Sequence, residues 1–152
     1  MENILISACL IGLPCRYDAK LGSTDLSYLK ERYNLIPVCP EIYGGLPTPR
    51  VPSERVAQRV IMRDGTDVTE NFQRGAMAAY EICLKFDCKT AILKERSPSC
   101  GTKEIYDGSF TGRLTLGEGV TAEYLRARGI RVFSEEDIKN GKIYGDNNEL
   151  DS

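Results

Sequence analysis

Four short apolar runs are spread along the chain, and each has the length and composition of a buried strand. They are rich in Ile, Leu and Val and cover about residues 3–8, 35–39, 90–95 and 130–133. Longer segments with helical signals separate them. This alternation predicts one α/β domain with a mainly parallel sheet of about four strands, flanked by helices.

The segments between the runs predict four helices. The first should begin near Ser23-Thr24, which are good N-cap residues, with an apolar face formed by Leu26, Leu29 and Tyr33. The longest should cover residues 69–87, with an inward face formed by Phe72, Ala76, Ala79, Cys83 and Phe86. A helix over residues 121–128 should end at Gly129, and Ser134 should cap a short last one.

Three further segments differ from this alternation. Residues 56–68 alternate and contain Asp64-Gly65, which predicts a small β-hairpin. Residues 40–53 hold four of the seven prolines and are expected to be extended or looped, since proline disfavours helix interiors. Residues 145–152 are polar and predict a flexible C-terminal tail, so we place the domain at residues 1–144.

Composition and charge narrow the function classes. The formal net charge of the 152 residues is −2, without the basic excess typical of nucleic-acid binding. The first residues run straight into a strand, and no apolar run is long enough to cross a bilayer. We therefore expect a cytoplasmic protein that binds neither nucleic acid nor a membrane. The oligomeric state is left open.

The chain has six cysteines and no histidine. A disulfide framework is not expected in a reducing compartment, and zinc fingers of the Cys/His type are excluded. Catalysis by Ser-His-Asp or Cys-His groups is excluded as well. Acid and base roles must fall to Glu, Asp, Lys, Tyr, Ser or Cys.

Three of the cysteines follow three of the predicted strands. Cys9, Cys39 and Cys100 should therefore meet at one edge of the sheet, where ligands of parallel sheets collect. Soft thiolates suit iron–sulfur clusters, and three protein ligands would leave one position open for chemistry. Cys83 is expected in the core, and Cys88 at the opposite edge.

Cys15 is ambiguous, because it lies in the loop after Cys9. It could be a fourth ligand, a resolving thiol or a bystander, and we favour the bystander. As a fourth ligand it would close the site and favour a non-catalytic iron–sulfur or zinc sensor. The chain could also add sulfur to a nucleic-acid base, which would favour a basic surface, or be a plain fold with buried thiols.

Other candidate site residues lie near these cysteines. Glu41 could be a general base with a raised pKa in a dry site. The turn from Ser97 to Gly101 could bind an anion through backbone N–H groups, and its hydroxyls, Ser97 and Ser99, could orient a substrate or water. Positive charge could come from Arg16, Arg50 and Lys94, and Gly44-Gly45 could let the backbone approach a ligand.

Several motifs occur together and in order. They are Ser7-Ala8-Cys9-Leu10-Ile11-Gly12, Arg16-Tyr17-Asp18, Pro37-Val38-Cys39-Pro40-Glu41, Gly44-Gly45-Leu46-Pro47-Thr48-Pro49-Arg50, Ser97-Pro98-Ser99-Cys100-Gly101, Ile105-Tyr106-Asp107-Gly108-Ser109-Phe110-Thr111-Gly112 and Gly117-Glu118-Gly119-Val120-Thr121-Ala122. In these motifs the chain resembles the thiouracil desulfidase family over about residues 4–138.

The resemblance implies an enzyme with a [4Fe–4S] cluster held by Cys9, Cys39 and Cys100. The fourth iron would be open for the sulfur of a thiolated pyrimidine such as thiouracil, thiouridine or its monophosphate. The resemblance also implies an acidic catalytic residue at Glu41 and a serine at Ser97, with the neighbouring Ser99 as the alternative. Such an enzyme would replace sulfur by oxygen without redox chemistry and release hydrogen sulfide.

Overall fold

The computed structural model describes residues 1–18 and 25–139. Along these residues run the elements β1 (Glu2–Ser7), α1 (Ser27–Arg32), β2 (Tyr33–Val38), α2 (Pro40–Tyr43), β3 (Ser53–Val56), β4 (Arg59–Met62), α3 (Thr69–Lys85), β5 (Thr90–Leu93), β6 (Glu104–Tyr106), β7 (Leu114–Leu116), α4 (Val120–Ala127), β8 (Arg131–Ser134) and α5 (Glu135–Lys139). The predicted helix start at Ser23-Thr24 and the predicted tail over residues 145–152 lie outside the described residues.

The central sheet has four parallel strands in the order β2-β1-β5-β8. Strands β1 and β2 pair over their full length, from Glu2 with Tyr33 to Ser7 with Val38. Parallel neighbours need crossover connections, and α1, α3 and α4 lie in the three that join these strands. The predicted four-stranded parallel α/β fold is therefore confirmed.

The side chains on the two faces of the sheet pack in two separate hydrophobic cores. Leu5 packs with residues of α3 and α4, whereas Ile4 and Ile6 pack with residues of α1 and α5. All three side chains are fully buried. Burial of each contributes about 1.5–3 kcal/mol of hydrophobic free energy. Helices on both faces leave the strand ends as the open edge.

The helices agree with their predicted patterns except at their ends. The side chains of Phe72, Ala76, Ala79 and Cys83 are buried, as predicted. Phe86 is 47% exposed, so its predicted inward position is wrong. The reason is that α3 ends at Lys85, and the next residue leaves the helical periodicity. Gly129 follows α4 in the left-handed conformation, and the Ser134 hydroxyl accepts the Glu136 N–H in α5.

Two further expectations, one about the end of α1 and one about the proline-rich segment, need correction. Tyr33 belongs to β2 and not to the first helix. Residues 40–53 are not wholly extended or looped, because α2 begins at Pro40. Proline is tolerated at the first position of a helix, where its missing N–H has no intrahelical partner.

The small sheets are antiparallel hairpins. β3 pairs with β4 through a turn at Ala57-Gln58, not at the predicted Asp64-Gly65. Asp64-Gly65 makes a later turn, after which Asp67 forms a bridge with Ile61. A second hairpin, β6 with β7, was not predicted, because its strands have only three residues each. No helix in residues 1–18 or 25–139 has the length and apolar character of a membrane span.

Candidate active site

A cavity of about 500 Å³ opens at the carboxyl edge of the parallel sheet. Ser7 at the end of β1, Val38 at the end of β2 and Lys94 directly after β5 form part of its wall. The β3–β4 hairpin and the loop between β6 and β7 contribute the outer wall. The cavity therefore lies where parallel sheets bind their ligands.

The structure brings Cys9, Cys39 and Cys100 to this cavity. Cys9 lies in a short 3₁₀ turn, Ala8–Ile11, that follows β1 without a break. Cys39 is the N-cap residue of α2 and follows β2 directly. Cys100 lies in the turn after β5. Three strand ends thus supply three thiols to one wall.

Ser97 builds the turn that carries Cys100. Its hydroxyl oxygen accepts the N–H groups of Ser99 and Cys100, both at 3.1 Å, and its carbonyl oxygen accepts that of Gly101 at 2.9 Å. We expected these N–H groups to be able to bind an anion, and this prediction is wrong because the turn itself uses all three. The Ser97 hydroxyl proton takes no part in these bonds, and Ser97 lines the cavity.

Cys15 lies closer to the predicted ligands than its loop position suggested. Its thiol lies near the thiols of Cys9 and Cys39, both of which act on its pKa. The Cys39 Sγ also lies 3.7 Å from the Cys15 carbonyl oxygen. The cavity wall therefore carries four thiols, of which Cys15 is one.

In this environment the thiols of Cys15, Cys39 and Cys100 are held in their neutral form. Burial raises the pKa of Cys100 to about 12. The hydrogen bond with Cys15, together with burial, raises the pKa of Cys39 well above its usual range. The pKa of Cys15 is about 11, because its bond with Cys9 and its burial outweigh the lowering by Cys39. A metal centre would have to displace these protons to gain thiolate ligands.

Glu41 reaches the same cavity from the first turn of α2. Its carboxylate oxygen Oε2 lies 2.9 Å from Nη2 and 3.1 Å from Nε of Arg50. Burial raises the pKa of Glu41 above its usual value, although Arg50 lowers it. No described residue donates a hydrogen bond to the other oxygen, Oε1, so this atom is available for a proton.

Arg50 lines the cavity, but its guanidinium is fully engaged by the protein. Besides Glu41, it donates to the carbonyl oxygens of Cys15 and Pro47 and to the Thr48 hydroxyl. Its side chain is only 3% exposed. Arg50 is therefore placed to brace the loops of Glu41 and Cys15, rather than to reach out to a substrate.

Three residues predicted to bind substrate are not brought to the cavity. Ser99 is fully buried, and its hydroxyl is paired with that of Thr121 at 2.8 Å. Gly44 packs against α3, where a Cβ atom would overlap the Asn71 carbonyl oxygen. Gly45 follows it in the left-handed conformation, with φ +94°, and also lies outside the cavity wall.

The remaining candidates lie at the rim or far away. Arg16 lines the cavity with its side chain 35% exposed, 3.4 Å from Asp18. Lys94 also lines it, and its ammonium lies 2.9 Å from Glu135. Cys83 and Cys88 are buried in the core, as predicted for Cys83, and do not reach the cavity.

Sequence reasoning missed the outer wall. Glu54 of β3 and Phe110 of the β6–β7 loop both line the cavity. The segment Asp107-Gly108-Ser109-Phe110 carries a turn signal, but nothing in it indicates that the loop folds over a strand edge far away in sequence.

Residues 4–137 match the sequence profile of the 2-thiouracil desulfurase family. This span covers nearly the whole chain and includes all the cavity residues described above. The chain belongs to the 2-thiouracil desulfurase family.

Two similar proteins support this membership. A solved structure described as the [4Fe–4S]-dependent thiouracil desulfidase TudS is 44% identical, with a TM-score of 0.86, and the match covers 92% of this chain and 95% of that one. The uncharacterized protein YbbK of Bacillus subtilis (strain 168) is 35% identical over 148 residues, which is 90% of this chain and 98% of YbbK. The resemblance to thiouracil desulfidases is therefore confirmed.

The donor set of this family member fits an iron–sulfur cluster. Cys9, Cys39 and Cys100 offer soft sulfur donors from three separate segments around one cavity. Within the described ranges, no three Cys, Asp or Glu side chains converge closely enough to hold a single metal ion. Thiols spread around a cavity suit a cluster, because each ligand binds a different iron.

Proposed function

We propose that this chain is a [4Fe–4S]-dependent desulfidase that converts a thiolated pyrimidine into its oxo form. The observation that supports this most directly is the lining of one cavity. It contains three thiols from the carboxyl edge of the sheet, the Glu41 carboxylate and the Ser97 hydroxyl. Thiouracil, thiouridine and thiouridine monophosphate are the candidate substrates. The proposed activity is that of the family, and the residues that line this cavity would carry it out.

Cys9, Cys39 and Cys100 are the proposed ligands of the cluster. A [4Fe–4S] cluster with three cysteine ligands supplies a Lewis-acid position that polarises the thiocarbonyl group of the substrate. Binding of the cluster would release the protons of these thiols, and the iron–thiolate bonds would offset the cost of placing thiolates in this buried wall. Cys15 is left outside the ligand set.

Glu41 is the proposed general base. Oε1 has no partner among the described residues, whereas Oε2 is fixed by Arg50. A carboxylate held in this way takes a proton from the water that attacks the pyrimidine carbon. Burial raises the pKa of Glu41, which makes it a stronger base than a solvated glutamate.

Ser97 has two proposed tasks. Its oxygen accepts two N–H groups and fixes the turn of Cys100. Its proton is then free to be donated into the cavity, toward the pyrimidine or the attacking water. One side chain would thus position both a ligand and the substrate.

The reaction balances without an electron donor. One water replaces the sulfur: the carbon–oxygen bond forms, the carbon–sulfur bond breaks, and both water protons leave with the sulfur as hydrogen sulfide. The products are the oxo-pyrimidine and hydrogen sulfide.

The size and charge of the cavity support small-molecule substrates. A volume of about 500 Å³ is within the usual range of ligand pockets, and it would be shared by the cluster and a small substrate. Arg16 lies partly exposed at the rim and is one of the cations placed to meet a phosphate. Substrate preference among base, nucleoside and nucleotide therefore depends on the rim rather than on the thiols.

The test is anaerobic reconstitution with iron and sulfide, followed by incubation with thiouracil and thiouridine monophosphate while hydrogen sulfide is measured. We expect release that requires the cluster. Cys9→Ala, Cys39→Ala and Cys100→Ala should each lose cluster and release, whereas Cys83→Ala, a core cysteine away from the cavity, should keep both. A reconstituted cluster without release from any thiolated pyrimidine would contradict the proposal.

A second candidate is a closed, non-catalytic cluster site with Cys15 as fourth ligand. The contacts of the Cys15 thiol with Cys9 and Cys39 favour it. Cys15→Ala distinguishes the two candidates. A desulfidase with three ligands keeps its iron content and hydrogen sulfide release in this variant, whereas a closed site loses its cluster.

A further inference from the structure

Phe110 occupies an unusual place in the outer wall of the cavity. It lines the cavity, is half-buried, and has a backbone φ of +58°, a conformation that bulky residues rarely adopt. Such a conformation costs free energy and persists only when the surroundings fix it. The loop therefore holds this aromatic residue in one position against its local preference.

Glu54 supplies much of that fixation. Its Oε1 atom accepts the N–H of Gly108 at 2.8 Å and the N–H of Phe110 at 3.1 Å. These two bonds link β3 to the β6–β7 loop across more than fifty residues of sequence. Hydrogen bonds to a charged acceptor are stronger than those between neutral groups, so the carboxylate is a firm anchor.

The Phe110 side chain has a defined partner as well. The Arg63 guanidinium carbon lies over its ring, 5.7 Å from the centroid, within the usual range of a cation–π contact. Arg63 also lines the cavity. The other aromatic residues of the wall, Tyr17 and Tyr106, are 43% and 37% exposed, and neither has the left-handed backbone conformation of Phe110.

We infer that Phe110 is the stacking platform for the pyrimidine ring and that Glu54 is its positioning residue. The inference rests on the proposed function, because it assigns the wall that recognises the flat heterocycle of that substrate. A planar pyrimidine stacks favourably on an aromatic face, and an aliphatic side chain of similar size does not replace this interaction.

The test measures binding of the oxo product, so that it does not depend on turnover. The probe is uracil or uridine monophosphate, whichever binds the cluster-loaded wild type, and the readout is calorimetric Kd. We expect Phe110→Leu to weaken binding at least about fivefold, and Phe110→Tyr, which keeps the ring, to stay within about twofold. Equal binding by wild type and Phe110→Leu would overturn the inference, as would equal losses in the two variants.

Ring planarity provides a second, independent readout. The wild type should prefer the planar probe over its 5,6-dihydro form, which is not aromatic. This preference should largely disappear in Phe110→Leu. An unchanged preference would overturn the stacking role even if both probes bound more weakly. Phe86→Leu, at the far end of α3, is the matched control and should change neither Kd.

The role of Glu54 is tested by a conservative pair. Glu54→Ala removes both backbone bonds and should raise KM at least about fivefold with little change in kcat, while the iron content stays that of wild type. Glu54→Gln keeps an acceptor oxygen and should restore most of the affinity. A loss of kcat with unchanged KM would contradict a positioning role, and so would the absence of rescue.

Failure of this inference can be separated from failure of the proposed function. If the wild type releases hydrogen sulfide but Phe110→Leu binds normally, only the stacking role is wrong. If the wild type releases none, the proposed function is wrong, whatever the binding data.

Discussion

The Arg50 guanidinium binds the Glu41 carboxylate at 2.9 Å and, through the same nitrogen, the Cys15 carbonyl oxygen at 3.0 Å. Arg50 therefore fixes both Glu41, the proposed general base, and the loop that carries Cys15. Because Arg50 is almost completely buried, the pair is shielded from solvent. Removing one partner of such a pair leaves the other charge desolvated and unpaired.

Arg50→Met is expected to destabilise the cluster-free protein by about 2–4 kcal/mol, since it strands a buried carboxylate. Turnover of the reconstituted enzyme should fall as well, because Glu41 loses its fixed position. Urea denaturation measures the first effect and hydrogen sulfide release the second. Arg59→Met removes a largely exposed arginine from a surface pair with Asp67 and should cost less than about 1 kcal/mol. Equal effects of the two substitutions would contradict the role of Arg50 in fixing Glu41 and the Cys15 loop.

Glu41→Gln distinguishes a role of Glu41 in proton transfer from a role in holding the cluster site together. The amide is close to the carboxylate in shape but cannot accept the proton of the attacking water, so turnover should fall by about 100-fold or more. Iron content after reconstitution should equal that of wild type, because Glu41 is not a proposed ligand. Glu81→Gln, an exposed change on α3, serves as the control. Wild-type turnover in Glu41→Gln would remove this residue from the mechanism.

The meeting of Cys9, Cys39 and Cys100 at one edge of the sheet could be predicted from sequence, because the apolar runs show where the strands end. β1 ends directly before the short turn that holds Cys9, and β2 ends directly before Cys39. Parallel pairing then forces these ends to one edge of the sheet. Neither step needs knowledge of side-chain packing, so the local pattern and the topology were sufficient.

The rest of the site depends on contacts that the sequence pattern does not contain. Ser97 and Ser99 are the same residue type two positions apart, yet one lines the cavity and the other pairs with Thr121. Which hydroxyl faces the cavity is decided by how α4 packs on the turn. The bonds of Glu54 to Gly108 and Phe110 likewise join distant segments, and no local propensity predicts them.

Glu95 should give the protein a pH-dependent stability. Burial raises its pKa, but the hydrogen bonds from Thr102, Lys103 and Arg96 outweigh burial and hold the pKa below the ordinary 4.5. A lowered pKa means that the ionised carboxylate stabilises the fold above about pH 4.5, and that this contribution is lost as the pH falls through the folded-state pKa.

Glu95→Gln tests this by removing the charge while keeping the shape. The variant should be less stable than wild type by about 2 kcal/mol at pH 7, and the difference should shrink below about pH 4.5. Urea denaturation of the cluster-free protein from about pH 3 to pH 7 measures it. Glu31→Gln, at a side chain that is 73% exposed, is the control. A difference independent of pH would assign the loss to packing rather than to charge.

At Gly75 the backbone of α3 closely approaches the segment that carries Cys39. It lies on α3, and a Cβ atom there would overlap the carbonyl oxygen of Pro40, the first residue of α2. Helix propensity alone predicts that Gly75→Ala stabilises the protein by about 1 kcal/mol. The overlap predicts the opposite, a loss of about 1–3 kcal/mol, because helix and loop must separate.

We expect the steric effect to dominate, because both atoms belong to rigid backbone. Movement of Pro40 would shift Cys39, so iron content after reconstitution should fall together with the midpoint of thermal unfolding. Gln73→Ala, an exposed change on the same helix, should leave both unchanged or slightly raise the midpoint. A more stable Gly75→Ala protein with full iron content would show that the contact between α2 and α3 does not position this thiol.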